Sequence, residues 1–131
     1  MAGFSDYLED KVLDHVFGGS AYTAPSTLYV ALFTAAPSDT GGGTECSGGS
    51  YERKSMAAMT VSGTSPTTAT NGAAVEFVTA TGSWGTVTHV GVFDASTSGN
   101  LLGWAALTAS KAVASGDVFR FDAGDLDITL A

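Results

Sequence analysis

The sequence predicts a mainly β domain, an antiparallel β-sandwich of jelly-roll or immunoglobulin-like type with about seven or eight strands and one amphipathic N-terminal helix. Three observations carry this expectation. Seventeen glycines, together with abundant Ser and Thr, leave few stretches that could sustain a long helix, since each Gly in a helix interior costs about 1 kcal/mol against Ala. Segments rich in β-branched and aromatic residues alternate with polar turn segments every roughly eight to twelve residues. Only one stretch repeats its apolar residues with a helical period. At 131 residues the chain fits a single domain over 1–131, and neither an internal repeat nor a linker interrupts it.

The helix is expected over 5–17. Leu8, Val12, Leu13 and Val16 fall on one face. Ser5 is placed to cap the start, and Asp6, Glu9 and Asp10 set negative charge near the positive end of the macrodipole. Gly18-Gly19 supply the stop. Such a stripe docks either on its own domain or on another subunit, and the acidic face of Asp6, Asp10 and Asp14 reads as solvated.

Thr27 to Thr34 is apolar at both parities, as a central strand covered on both faces must be. Residues 35–50 are a long Gly/Ser/Thr loop around Asp39, Glu45 and Cys46, the length of segment that small domains keep for contact. Tyr51 to Val61 reads as a strand, 62–72 as a second polar loop, and Ala73 to Val78 as a short strand. Trp84 to Asp94 and Leu101 to Leu107 form the best hairpin, joined across Asp94–Asn100. Asp117 to Asp122 and Asp125 to Leu130 close the set, with Leu126, Ile128 and Leu130 inward.

Five Lys and Arg against 13 Asp and Glu give a formal charge of −8, which disfavours any grip on nucleic-acid phosphates. The N-terminal residues lack the basic character of a signal peptide, and no apolar run approaches the ~20 residues of a membrane span. Membrane insertion and cleaved secretion are therefore not expected. A lone Cys46 rules out an intrachain disulfide and a thiolate zinc cluster and fits synthesis in a reducing host cytoplasm.

Catalytic, cofactor and metal sites are all expected to be absent. His15 and His89 sit in no recognisable nucleophile motif. The Gly-rich stretch at 41–49 lacks the Lys-Ser/Thr ending and the following helix of a phosphate loop. Asp117, Asp122, Asp125 and Asp127 lack the spacing of a calcium loop and read as a solvated strand edge. Trp84, Trp104 and Tyr51 could form a sugar platform, but a domain this small needs such rings for its core. The residues singled out as partner contacts are Asp39, Glu45, Cys46, Tyr51 and Arg53. Cys46, in a Gly/Ser loop, reads more readily as an incidental substitution than as a reactive exposed thiol, and Arg53 reads as a cation available to a partner's carboxylate.

Four stretches, Leu28-Tyr29-Val30-Ala31-Leu32-Phe33-Thr34-Ala35-Ala36-Pro37, Gly43-Thr44-Glu45-Cys46-Ser47-Gly48-Gly49-Ser50-Tyr51-Glu52-Arg53, Trp84-Gly85-Thr86-Val87-Thr88-His89-Val90-Gly91-Val92-Phe93-Asp94 and Gly99-Asn100-Leu101-Leu102, together resemble a family of small tailed-bacteriophage virion proteins, labelled as tail-fibre or head-decoration proteins. The resemblance implies a non-enzymatic structural protein of the virion whose partners are other phage capsid or tail proteins. Cys46 stands where the resemblance leads one to expect an aliphatic residue, and Glu52 and Lys54 add charge beside Arg53; both departures are expected to bear on the loop surface. Low charge density and long polar loops suit a surface consumed by neighbours in a homo-oligomer, such as a trimer. The first expectation is a capsid decoration (cement) protein that stabilises the head lattice. The alternative is a tail-fibre or receptor-binding module recognising a host glycan or protein, which requires Trp84 or Trp104 to be accessible.

Overall fold

The computed structural model describes residues 3–130; the side chain of Leu130, expected inward, lies outside what is described. The elements in chain order are β1 (Gly3–Phe4), α1 (Asp6–Val16), β2 (Leu28–Ala35), β3 (Thr44–Glu45), β4 (Lys54–Met56), β5 (Thr60–Ser62), β6 (Thr67–Thr70), β7 (Val75–Glu76), β8 (Gly85–Phe93), β9 (Leu101–Val113), β10 (Arg120–Phe121) and β11 (Asp127–Leu130). The protein is mainly β with one short helix, and its strand pairs are antiparallel. The described residues hold eleven strands, more than expected, because several are only two residues long.

The largest sheet runs β1-β9-β8-β2-β3, with β4 also paired to β2. As its composition requires, β2 lies inside this sheet and buries Val30, Ala31, Leu32 and Phe33 on both faces. One face carries Val30 and Leu32 opposite Val92 and Val90 of β8. That face shares a single apolar cluster with Val75 and Phe121 of the β7–β10 pair and with Leu126 at the start of β11. Trp84, Phe77 and Phe119 fill the same cluster with edge-to-face ring contacts, the arrangement aromatic quadrupoles favour.

The helix follows the sequence closely at its ends. Ser5 takes an extended conformation and its Oγ accepts the Leu8 N–H at 3.2 Å. The same residue is 1% exposed, because its N–H donates to Leu102 O at 2.8 Å and its hydroxyl donates to Leu101 O. The cap is thus also a weld between helix and β9. At the far end the Phe17 and Gly18 N–H groups close on Leu13 O, and Gly19 takes a positive φ. The apolar stripe, however, divides. Leu8 packs on the core, whereas Leu13, Val16 and Phe17 are 58%, 61% and 82% exposed.

Several strand boundaries differ from expectation, two of them because the chain changes sheet. The segment 51–61 is two strands, β4 in the large sheet and β5 in the β5–β6–β11 sheet, with the chain crossing at 57–59. The loop expected over 62–72 contains β6, paired with β5 through Val61↔Ala69 and with β11 through Ile128↔Ala69. The loop over 35–50 likewise contains β3. Conversely, the strands expected at 73–78 and 117–122 shorten to β7 and β10. The β8–β9 hairpin is present, but β9 runs on to Val113: His89 pairs with Ala106 and Val87 with Lys111, so the residues between, 107–110, bulge out of register. Beyond the two-residue pairing with β1 at Gly103 and Trp104, no strand of the described residues pairs with the outer edge of β9.

Asn71 is 2% exposed and fully occupied. Its Nδ2 donates to Ala73 O (2.9 Å) and Asp122 O (3.0 Å), and its Oδ1 accepts the Gly124 (3.1 Å) and Leu126 (2.9 Å) N–H groups. It thereby ties the turn after β6 to the turn before β11. Asn71→Ala removes all four bonds and strands the buried Leu126 N–H, and is expected to lower the unfolding free energy by about 2 kcal/mol in urea titrations.

Candidate functional site

The block from Glu45 to Arg53 folds as one unit. Glu45 sits on β3 opposite Phe33, and the chain then reverses at Gly48-Gly49, where the Tyr51 N–H donates to Gly48 O at 2.8 Å. Gly49 has φ +52°, and a Cβ there would come within 2.6 Å of Gly82 O. Its own carbonyl accepts both the Trp84 Nε1–H and the Thr81 N–H at 2.9 Å. Only glycine satisfies that turn. The reversal brings Tyr51 and Arg53, two residues apart and hence on one side of an extended segment, back to Glu45.

Arg53 donates from Nε to Glu45 Oε2 and from Nη2 to Glu45 Oε1, each at 2.9 Å, in the two-pronged geometry particular to guanidinium. Its Nη1 donates to Ala95 O (2.9 Å) and Ser98 O (2.8 Å) in the β8–β9 turn. The guanidinium lies 3.7 Å from the centroid of Phe93, which stacks on Phe33. The Arg53 side chain is 8% exposed. Tyr51 Oη donates to Glu45 Oε2 at 2.8 Å and accepts the Leu32 N–H at 3.0 Å, while its ring packs edge-on against Trp84 in the core. Burial, reinforced by Glu45, raises the Tyr51 phenol well above its ordinary range.

Above this network opens a cleft of about 510 Å³, lined by Phe33, Phe93, Glu45, Arg53, the 39–43 loop, residues 98–101 and the start of α1 at Asp6 and Tyr7. The loop is tied down rather than free. Ser38 and Gly41 exchange backbone hydrogen bonds, Asp39 O accepts the Asp6 N–H at 2.9 Å, and Asp39 Oδ1 accepts the Trp104 Nε1–H at 3.0 Å. Of the five residues singled out from sequence, the structure therefore brings Asp39, Glu45, Tyr51 and Arg53 to one place. It does not bring Cys46 there.

Cys46 points away from Glu45 into the apolar cluster and is 5% exposed, which corrects its placing on the loop surface among the contacts and removes the reading of an exposed thiol. Adjacent residues on a strand face opposite ways, and a small apolar-like thiol fills the position an aliphatic residue would. Burial, then the neighbouring Glu45, pushes its pKa up from 9.0 to about 11. Arg53 is likewise engaged inside the chain, by Glu45. Trp84 is 3% exposed, and Trp104 lies near His89 on the other face of the sheet, so the three aromatics share no platform. His89 Nδ1 is bonded to Thr88 Oγ1 and His15 Nδ1 accepts the Tyr22 N–H. Asp117 and Asp125 accept backbone N–H groups in their own turns, and Asp122 pairs with Arg120. Sequence reasoning found Ser5 as a cap but missed its bonds to β9, and it missed Asn71 altogether. Their only signals were the cap position of Ser5 and the Asn71-Gly72 turn pair.

The sequence profile of a family described as podophage GP4 fiber I protein gp80 matches residues 3–129, the whole of the described core and the cleft. The chain belongs to that family. No curated protein matches it. Membership in the gp80 fibre family makes this a phage structural protein of tail-fibre type, points to a structural rather than a catalytic role, and implies association with other structural proteins of the particle. No helix among the described residues is long and apolar enough to cross a membrane.

Two outcomes follow from the geometry. Arg53→Met, by stranding the Glu45 carboxylate and freeing the 94–100 turn, is expected to cost about 3 kcal/mol of stability in chemical denaturation, and Arg53→Lys to recover less than half of that, since an ammonium lacks the fork. The Cys46 thiol is expected to resist an aromatic disulfide reagent at pH 8 until urea unfolds the chain. Between pH 9 and about 11 the unfolded chain has released a thiol proton that the folded chain retains, so stability falls as pH rises through that window. The fall in urea midpoint from pH 8 to pH 10 should be smaller in Cys46→Ala.

Proposed function

We propose that this chain is a fibre-type structural module of the phage tail, a single β-sandwich domain that acts by rigid contact with neighbouring virion proteins. The match to a fibre family along residues 3–129 carries the reading. The consumption of the site's polar groups within the chain supports it: Glu45, Tyr51 and Arg53 bind each other and the 94–100 turn, as a scaffold requires and a catalytic site does not. The sandwich description draws on the single apolar cluster that the large sheet shares with the two smaller ones.

In this reading the contact residues have two roles. Asp39 stands exposed at the rim of the cleft, where a neighbour meets it. Glu45, Tyr51 and Arg53 hold that rim in place from beneath, and Cys46 supports it from the core side. The head-decoration role expected from small size and compactness draws nothing from a family described by its fibre, and the fibre reading takes precedence. Of the two indoles on which glycan recognition could rest, Trp84 is buried, while Trp104 is half-buried with its Nε1–H bonded to Asp39.

Gold-labelled antibody against the chain, imaged on intact particles by electron microscopy, is expected to mark the tail or its fibres at low copy. Label spread across the head would restore the cement role and remove the fibre reading.

A further inference from the structure

The outward face of α1 has no partner within the chain and has a distinct composition. Leu13, Val16 and Phe17 stand at i, i+3 and i+4, so they form one patch on the last turn, and all three are mostly exposed. Phe17, the cap residue, keeps right-handed helical geometry and so continues that patch. Glu9 and Asp10 lie four and three residues before Leu13 and share its face one turn earlier; Asp6 lies a further turn back. All three carboxylates are on exposed residues. The helix thus presents carboxylates over its first two turns and large apolar side chains over its last, while Leu8 faces the core.

Resting on the structural reading above, we propose that this face docks an apolar segment bearing Lys or Arg on another structural protein of the particle. Charge complementarity identifies the occupant. A second copy fits poorly, because each chain carries a formal charge of −8 and this face bears carboxylates with no Lys or Arg among them. A groove beside β9 and β11 does set Lys111 and Arg120 among apolar side chains, but Arg120 is held by Glu76 and Asp122, and Asp125 and Asp127 line the same groove, so it offers this acidic face little net positive charge. Of the chain's other cations, Arg53 is held by Glu45. Lys111 lies over Phe119, Lys11 lies over Tyr7 of the same helix, and Lys54, at the start of β4, stands two residues after Glu52. The other exposed large apolar residues, Val61 and Val118, stand between Thr60 and Ser62 and beside the carboxylate-bound Arg120. The partner is therefore a different chain, basic where this one is acidic.

The test uses particles of the phage that encodes the chain, made with the wild type, with Leu13→Ser/Phe17→Ser, or with Glu9→Lys/Asp10→Lys. Because these positions are exposed, both variants are expected to fold, checked by circular dichroism and thermal melting of the full chain. Their copies in purified particles are expected to fall about tenfold. Both variants entering at the wild-type level would overturn the docking face and leave the structural reading standing. Wild-type chain missing from the particles would overturn both. Normal entry of the charge-reversed variant alone would reject a basic partner. Self-association of the wild type in sedimentation, abolished by Leu13→Ser/Phe17→Ser, would give the face to a second copy and overturn the inference as well.

Discussion

The pairing of Arg53 with Glu45 is the constraint on which the upper half of the molecule depends. Three segments meet at one guanidinium: the β3 edge through Glu45, the chain returning eight residues later through Arg53 itself, and the distant β8–β9 turn through the Ala95 and Ser98 carbonyls. Burying such a pair carries a desolvation cost of several kcal/mol per ion, which only good geometry and added hydrogen bonds offset. Here both carboxylate oxygens are engaged, one of them twice, and the cation's flat face is covered by Phe93. The pair therefore contributes less as net stability than as a choice of one arrangement for the cleft walls.

Tyr51 links that arrangement to the core. Its ring belongs to the Trp84 and Phe77 stack, and its hydroxyl sits between the carboxylate and the Leu32 N–H of the central strand. Moving Glu45 would move the hydroxyl, and moving the hydroxyl would disturb a ring packed among buried aromatics. The cleft floor is thus as rigid as the sheet beneath it. The 39–43 loop inherits order from the other side, through Asp39 and the Trp104 indole.

What was legible in the sequence was whatever local chemistry decides. The helix declared itself through Ser5, its acidic first turn and Gly18-Gly19, and β2 through apolar residues at both parities. The hairpin of β8 and β9 was legible from the turn between them. What was not legible was set by sheet partners distant in sequence. Thr67 to Thr70 reads as loop by polarity, although threonine is a good strand former, and only its pairing with β5 and β11 makes it a strand. The site was half visible. The Glu45, Tyr51 and Arg53 spacing stood out as a block, but a lone cation in an acidic chain reads as surface until the Gly48-Gly49 reversal turns it inward. The inward direction of Cys46 follows from strand alternation once β3 is known, and polar loop composition hid β3. Where the helix stripe docks was not legible, because periodicity reports which residues share a face, not what that face meets.

The out-of-register bulge at 107–110 has a consequence for how the chain behaves when crowded. From Ala105 onward the outer edge of β9 offers backbone donors and acceptors that no other described strand takes up. A regular edge of that length is a template on which further chains add without limit. The bulge breaks the even spacing of those groups, and the exposed Lys111 just beyond it places a charge where an incoming strand would lie. The longest strand of a chain with so few charges is thereby a poor template for a second copy.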